Sequence, residues 1–302
     1  MTNIMAVVEQ LVMLLWMTGV GYIMRRRRVM TTPVIKGVNA LLLQVAWPCM
    51  ILMTTQKPCT DEAVSRFLMV MCVTAAILTI ASLVMYHASR RWANEVCAPV
   101  FSLLAVMPNA GFVGMPIIKA VYGDTGVLYL AAFLVGFNLV VWTIGVFLFN
   151  GISLRSLRNV LNPGFVSSLV GTALFLLRIS LPAPLLSAVN QLGSLTTPLA
   201  MLLLGARLDQ VSWPLLKKTI LWISCTIKLL VIPLLTFAVM RLFHMDSELT
   251  GICVMSMAMP SASVAQLLAE KNNGDIQLAV AGVSFSMLLC LITIPLIMLI
   301  AL

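Results

Sequence analysis

Met107-Pro108-Asn109-Ala110-Gly111-Phe112-Val113-Gly114-Met115-Pro116 places two prolines, two glycines and a carboxamide inside a run otherwise apolar enough to cross a bilayer. Met259-Pro260-Ser261-Ala262-Ser263 is a second interruption, in the other half of the chain. Proline has no N–H, so Pro108 removes the helical partner of the Leu104 carbonyl, and Pro116 does the same to Phe112. Backbone left unpaired at membrane depth is tolerated only where protein or a water-filled cavity covers it. The chemistry that suits these residues is anion binding. A helix that restarts after a break presents free N–H groups and about half a positive charge. That dipole contributes only about 0.3–2 kcal/mol, whereas dehydrating a carboxylate costs several kcal/mol. Side-chain donors must supply the difference, and Asn109, Ser261 and Ser263 stand at the right places. Gly111 and Gly114 would let backbone approach closely. Tight helix packing through small residues explains the glycines and serines as well, but it accounts poorly for Asn109 and the repeated prolines.

Other polar residues inside apolar runs are candidates for the same site. Lys228 lies five residues before Pro233, where a charge is expensive and is expected to be functional or paired. It would attract an anion or move a proton; the alternative is that it snorkels to the interface. Asn138 suits either substrate contact or a cross-helix hydrogen bond. Ser284, Ser286, Gln44 and Gln266 are weaker cavity candidates, and Glu9 reads as interfacial. Nothing points to an enzyme or a metal site. The seven cysteines lack metal spacing, and no HExxH, no GxSxG with a plausible base and no phosphate-cradling glycine loop with lysine occurs. The two histidines, His87 and His244, sit near the ends of apolar runs. No cofactor is implied, and no loop is long enough for a nucleotide-driven motor domain.

These residues must be held by membrane-spanning helices. The 302 residues are 61% hydrophobic and only 10% charged, against about 25% charged in soluble domains, so the expected fold is an all-α polytopic membrane protein. Ten apolar runs approach spanning length: 4–24, 34–55, 67–89, 96–121, 127–149, 165–177, 185–205, 219–243, 249–268 and 276–302. The sixth is the shortest and is expected to begin earlier, near Leu157. The net charge of +9 reads as topology, not as nucleic-acid binding. Of the 19 basic residues, 13 fall in the odd-numbered loops, led by Arg25, Arg26, Arg27 and Arg28, with Arg207 counted in the seventh loop. The positive-inside rule puts those loops in the cytoplasm and both termini outside. The arginines follow the first run, the reverse of a cleavable signal, so that run is expected to be retained.

The halves repeat. Pro48 and Pro198, Pro108 and Pro260, and Gly123-Asp124 and Gly274-Asp275 recur at an offset of about 150 residues. Five spans per repeat is an odd number, so residues 1–150 and 151–302 must lie inverted, the architecture of secondary carriers. Spans 4 and 9 then bring their second halves, and two helix N-termini, together near the midplane.

The N-A-G-F-V-G-M-P string, the segment from Thr197 to Leu208, and M-P-S-A-S with Gly274-Asp275 behind it resemble the auxin efflux carrier family, across essentially the whole chain. That family includes plant auxin carriers and bacterial malate and malonate permeases. The resemblance implies ten helices in two inverted repeats, with helices 4 and 9 crossing at Pro108 and Pro260. It also implies a static scaffold of helices 1, 2, 6 and 7, a transport unit of helices 3–5 and 8–10 moving as an elevator, and a homodimer through the scaffold. Asn109 would contact a substrate carboxylate. Only about a dozen residues, 150–162, link helices 5 and 6 where plant carriers often have a long hydrophilic loop, so the short bacterial form is the better match. The expectation is a secondary carrier of a small organic anion in the inner (plasma) membrane, with proton coupling. A sodium-coupled carrier of bile-acid-like fold for another solute, or a sensor without flux, are the alternatives.

Overall fold

Helices are the only open-ended way to satisfy a backbone surrounded by apolar side chains and lipid, because each segment pairs its own N–H and C=O groups. The computed structural model describes residues 2–56, 60–91, 97–151, 162–208 and 213–301. Those residues form helices and turns, with one isolated antiparallel bridge between Pro108 and Ser261.

In chain order the helices are α1 (Thr2–Arg26), α2 (Thr32–Thr55), α3 (Asp61–Ser89) and α4 (Cys97–Val106). The run Ala110–Asn150 follows, and Gly123 at φ +61° divides it into α5 (110–122) and α6 (124–150). Next come α7 (Pro163–Leu176), α8 (Ala183–Ser194), α9 (Thr196–Arg207), α10 (Thr219–Leu242), α11 (Ser247–Ala258), α12 (Val264–Lys271) and α13 (Ile276–Ala301). Asn162 caps α7 by accepting the Phe165 N–H at 3.1 Å; the earlier start near Leu157 falls outside the described residues. Asp246 caps α11 in the same way through the Leu249 N–H, at 2.8 Å.

Among the described residues six helical runs are long and apolar enough to cross a membrane, and α4, α7 and α11 are shorter apolar helices. Ten separate spans are therefore not what length alone gives, and the breaks are the cause. The 10 residues of α4 rise about 15 Å, half of a hydrocarbon core about 30 Å thick. Outward faces are apolar, with Trp16 73% and Ile292 74% exposed, which suits lipid and not water. This is a multi-pass membrane protein.

Three prolines inside the longer helices follow widened turns. π-turns at Leu42–Ala46, Ala110–Gly114 and Ile227–Val231 each end two residues before a proline: Pro48, Pro116 and Pro233. A wider turn moves the preceding carbonyl away from the proline ring. At Pro116 the chain consequently stays helical, so the interruption lies at Pro108 alone.

Small residues let helices approach to backbone distance. In one group α9 packs along α1, and α2 packs on α7 and α8, where Gly193 lies against the Met50 backbone. In the other, α6 packs on α3 through Gly136, and Gly282 of α13 faces the Leu104 side chain of α4. A Cβ on Gly205 of α9 would collide with the Thr18 carbonyl oxygen of α1, whereas Gly37 has open space around it. We expect Gly205→Ala to destabilise the protein by about 1–3 kcal/mol through overpacking. The check is the midpoint of thermal unfolding in detergent, with Gly37→Ala unchanged or slightly stabilised.

Candidate functional site

The two interruptions meet. Asn109 N–H donates to the Pro260 carbonyl at 2.7 Å and Ala262 N–H to the Met107 carbonyl at 2.9 Å, closing an antiparallel bridge between Pro108 and Ser261. Each break thus satisfies backbone groups of the other. The carbonyls deprived by proline find hydroxyls from elsewhere in the chain. Ser261 Oγ donates to the Leu104 carbonyl at 2.7 Å, and Thr197 Oγ1 of α9 to the Phe112 carbonyl at 3.1 Å. Ser286 of α13 pins the crossing by accepting the Ser261 N–H at 3.0 Å. Gly114 sits against the Met259 side chain, where a Cβ would come within 3.2 Å of Met259 Cγ, a tight contact.

Ser261 is therefore occupied in holding the crossing, and Lys228 is occupied too. Its side chain is fully buried, and Nζ donates to the Met257 carbonyl at 2.6 Å. Met257 lies in the last turn of α11, whose final carbonyls have no helical partner, and a cation there also meets the negative end of the helix dipole. No carboxylate within the described residues lies in ion-pair range of Lys228, and Lys228 does not line the cavity beside the crossing.

That cavity is bounded by α2, α6, α9, α12 and the break before α5. It offers about 60 Å³ to the centre of a water-sized sphere, room for a few waters or a small organic acid, since one water needs roughly 10–15 Å³ by this measure. Asn109, Gly111, Asn138 and Ser263 come together on its wall with Pro108. Asn109 has φ −83° and ψ 49°, outside the helical region, and its side chain makes no capping bond. Ser263 opens α12, likewise without a capping bond. Asn138 Nδ2 donates to the Leu134 carbonyl of its own helix at 2.9 Å. Gly111 lets the Trp47 ring close against the break, where a Cβ would collide with it, and Trp47 meets Phe112 edge-on at 4.8 Å. Gln44 is exposed on the far side of α2.

Asn39, Trp142, Arg207 and Gln266 also line the cavity. Arg207, assigned to a loop by the charge count, is the last residue of α9 and is 9% exposed. Its Nη1 donates to Gln266 Oε1 at 2.8 Å and lies 3.3 Å from Glu270 Oε1. The signal for it was helical spacing: Ala200, Leu203, Leu204 and Arg207 share one face, and all four line the wall. Gln266 Nε2 and Trp142 Nε1 are buried N–H donors with no partner among the described residues. No carboxylate stands among the lining residues, and no group of three or more acidic, His or Cys residues fit to hold a metal occurs among the described residues.

A multi-pass helical protein with two broken helices crossed beside an internal cavity has the build of a membrane transporter. The sequence profile of the family described as "Membrane transport protein" matches residues 6–156 and 152–298, and the chain belongs to this family, that of the auxin efflux carriers. It is 23% identical over 296 residues to an uncharacterized transporter of Methanothermobacter thermautotrophicus, covering 95% of this chain and 96% of that protein. It is 21% identical over 295 residues to an uncharacterized transporter of Methanocaldococcus jannaschii, covering 92% and 93%.

Replacing Ser261 with alanine leaves the Leu104 carbonyl buried without a partner. We expect a loss of about 1–3 kcal/mol, read as a lower unfolding midpoint of the purified protein.

Proposed function

We propose that this transporter carries a small organic anion, a mono- or dicarboxylate of the malate, malonate or auxin-like class. The observation that carries the reading is the donor excess of the cavity wall: a guanidinium, two unpartnered buried N–H groups and the Asn109 and Ser263 side chains, with no carboxylate among the lining residues. An acceptor-only ligand satisfies such a wall, and its apolar remainder suits Trp47, Phe112 and Phe137. Sodium would ask for oxygen ligands in place of donors.

Residues 1–150 and 151–302 act in this proposal as inverted five-helix repeats, giving ten spans with α4–α5 and α11–α12 as the crossing pair. Support comes from the way each break supplies partners to the other. The two packing groups, α1, α2, α7, α8 and α9 against α3–α6 and α10–α13, would be the scaffold and the unit that moves in elevator-like alternating access. The cavity lies between them. Its wall includes the halves of α2 and α9 nearest the loops with Arg25–Arg28, Lys217 and Lys218. On the positive-inside rule it faces the cytoplasm of a plasma-membrane protein with both termini outside. Lys228 serves as the cap of α11 in this reading and not as a substrate contact.

The test is thermal stability of the purified protein with malate, malonate or indole-3-acetate, beside the corresponding neutral amides. A carboxylate at a hundredfold excess over its Kd should stabilise by about 2.7 kcal/mol, the amide should not, and Asn109→Ala should abolish the shift. Equal shifts with acid and amide, or none with any acid, would overturn the anion reading.

A further inference from the structure

Arg207 and Glu270 belong to different packing groups. Arg207 ends α9, which lies along α1; Gln266 and Glu270 sit one turn apart on α12, which packs on α13 and α4. The guanidinium therefore ties the two groups together beside the cavity. Its two contacts differ in setting. Gln266 is buried and bonded at 2.8 Å, whereas Glu270, at 3.3 Å, has its side chain 40% exposed against 10% for Arg207. A partly solvated ion pair at that distance is weak. A planar guanidinium has five donors and prefers two parallel bonds to a carboxylate in a dry site. In the present arrangement Nη1 alone serves both partners.

We infer that Glu270 holds the place of the substrate: an anionic ligand in the cavity takes Arg207 from Glu270, and this exchange loosens α9 from α12. The inference rests on the anion reading above and adds to it a counter-ion and a link between occupancy and the contact that joins the groups. Gln266 suits the hand-over. Its Oε1 keeps the guanidinium aimed at the cavity, while its Nε2, buried and unpartnered, is a second donor for the incoming carboxylate. A ligand shifts a conformational equilibrium only through differential affinity for the two states. Here the difference is the Arg207–Glu270 pair, present without ligand and absent with it. Coupling of this kind is reciprocal, so weakening the pair must strengthen the ligand.

The experiment measures malonate affinity by calorimetry for the purified full-length wild type, Glu270→Gln, Arg207→Gln, Arg207→Lys and Asn109→Ala. Glu270→Gln removes the competitor, and its Kd should fall about tenfold, within the 5–150-fold range of such couplings. Arg207→Gln should raise Kd at least tenfold, and Arg207→Lys, which keeps the charge but not the fork, should fall between. Hydrogen exchange of the α12 amides should rise on adding malonate to the wild type and be raised already, without malonate, in Glu270→Gln. An unchanged or weaker Glu270→Gln overturns the exchange. Because Glu270 is partly exposed, that variant decides the matter even if Arg207→Gln fails to fold. Unchanged affinity in Arg207→Gln beside lost binding in Asn109→Ala overturns the inference and leaves the anion site standing. A folded wild type that binds no malonate overturns both.

Discussion

An unpaired carbonyl in an apolar interior is what this architecture is built to avoid. Pro108 and Pro260 each open a helix in the buried interior, and each opening leaves backbone groups that must be satisfied. The chain solves both with one arrangement: the breaks cross, exchange two backbone hydrogen bonds and draw on the Ser261 hydroxyl. Thr197 settles the carbonyl that Pro116 deprives, and Lys228 settles the end of α11. Each partner comes from a different helix, so the local defect ties α5, α9, α10, α11 and α13 to one point.

The site follows from that tie. A continuous helix through residue 109 would turn its backbone inward and leave no concavity. The break puts Asn109 outside helical geometry, and the restart of α12 places Ser263 on the same wall. The helices that close the cavity from the other side, α2 and α9, bring Trp47 and Arg207. The wall holds a guanidinium and two buried N–H groups without partners among the described residues, and no carboxylate, which is the feature the proposed anion would use. Thr197 and Arg207 also fasten the two packing groups beside the cavity, through hydrogen bonds to the Phe112 carbonyl and Gln266 and an ion pair with Glu270.

Much of this was legible in the sequence because proline chemistry is local. The orphaned Leu104 and Phe112 carbonyls follow from residue type and spacing alone, and the two proline interruptions that cross are visible as motifs. What satisfies them is less legible: Ser261 lay within a motif, but Thr197 became a partner only through the packing of α9 on α5. Lys228 was visible as an expensive charge, yet its partner is a backbone carbonyl, which has no sequence signature. Arg207 was misplaced because a charge at the end of an apolar run reads as loop. The helix carries it two residues past the boundary at Gly205 and keeps it inside. Pro116 was read as a break because the compensating π-turn has no distinguishing composition.

The most direct measurement of the central claim is counterflow of labelled malonate or malate in sealed proteoliposomes containing the purified protein. The account predicts that labelled acid accumulates transiently in vesicles preloaded with the same unlabelled acid. Protein-free vesicles should show no accumulation, and the neutral diamide should not move. Vesicles with folded protein that exchange no small carboxylate, or that move acid and amide alike, would contradict it.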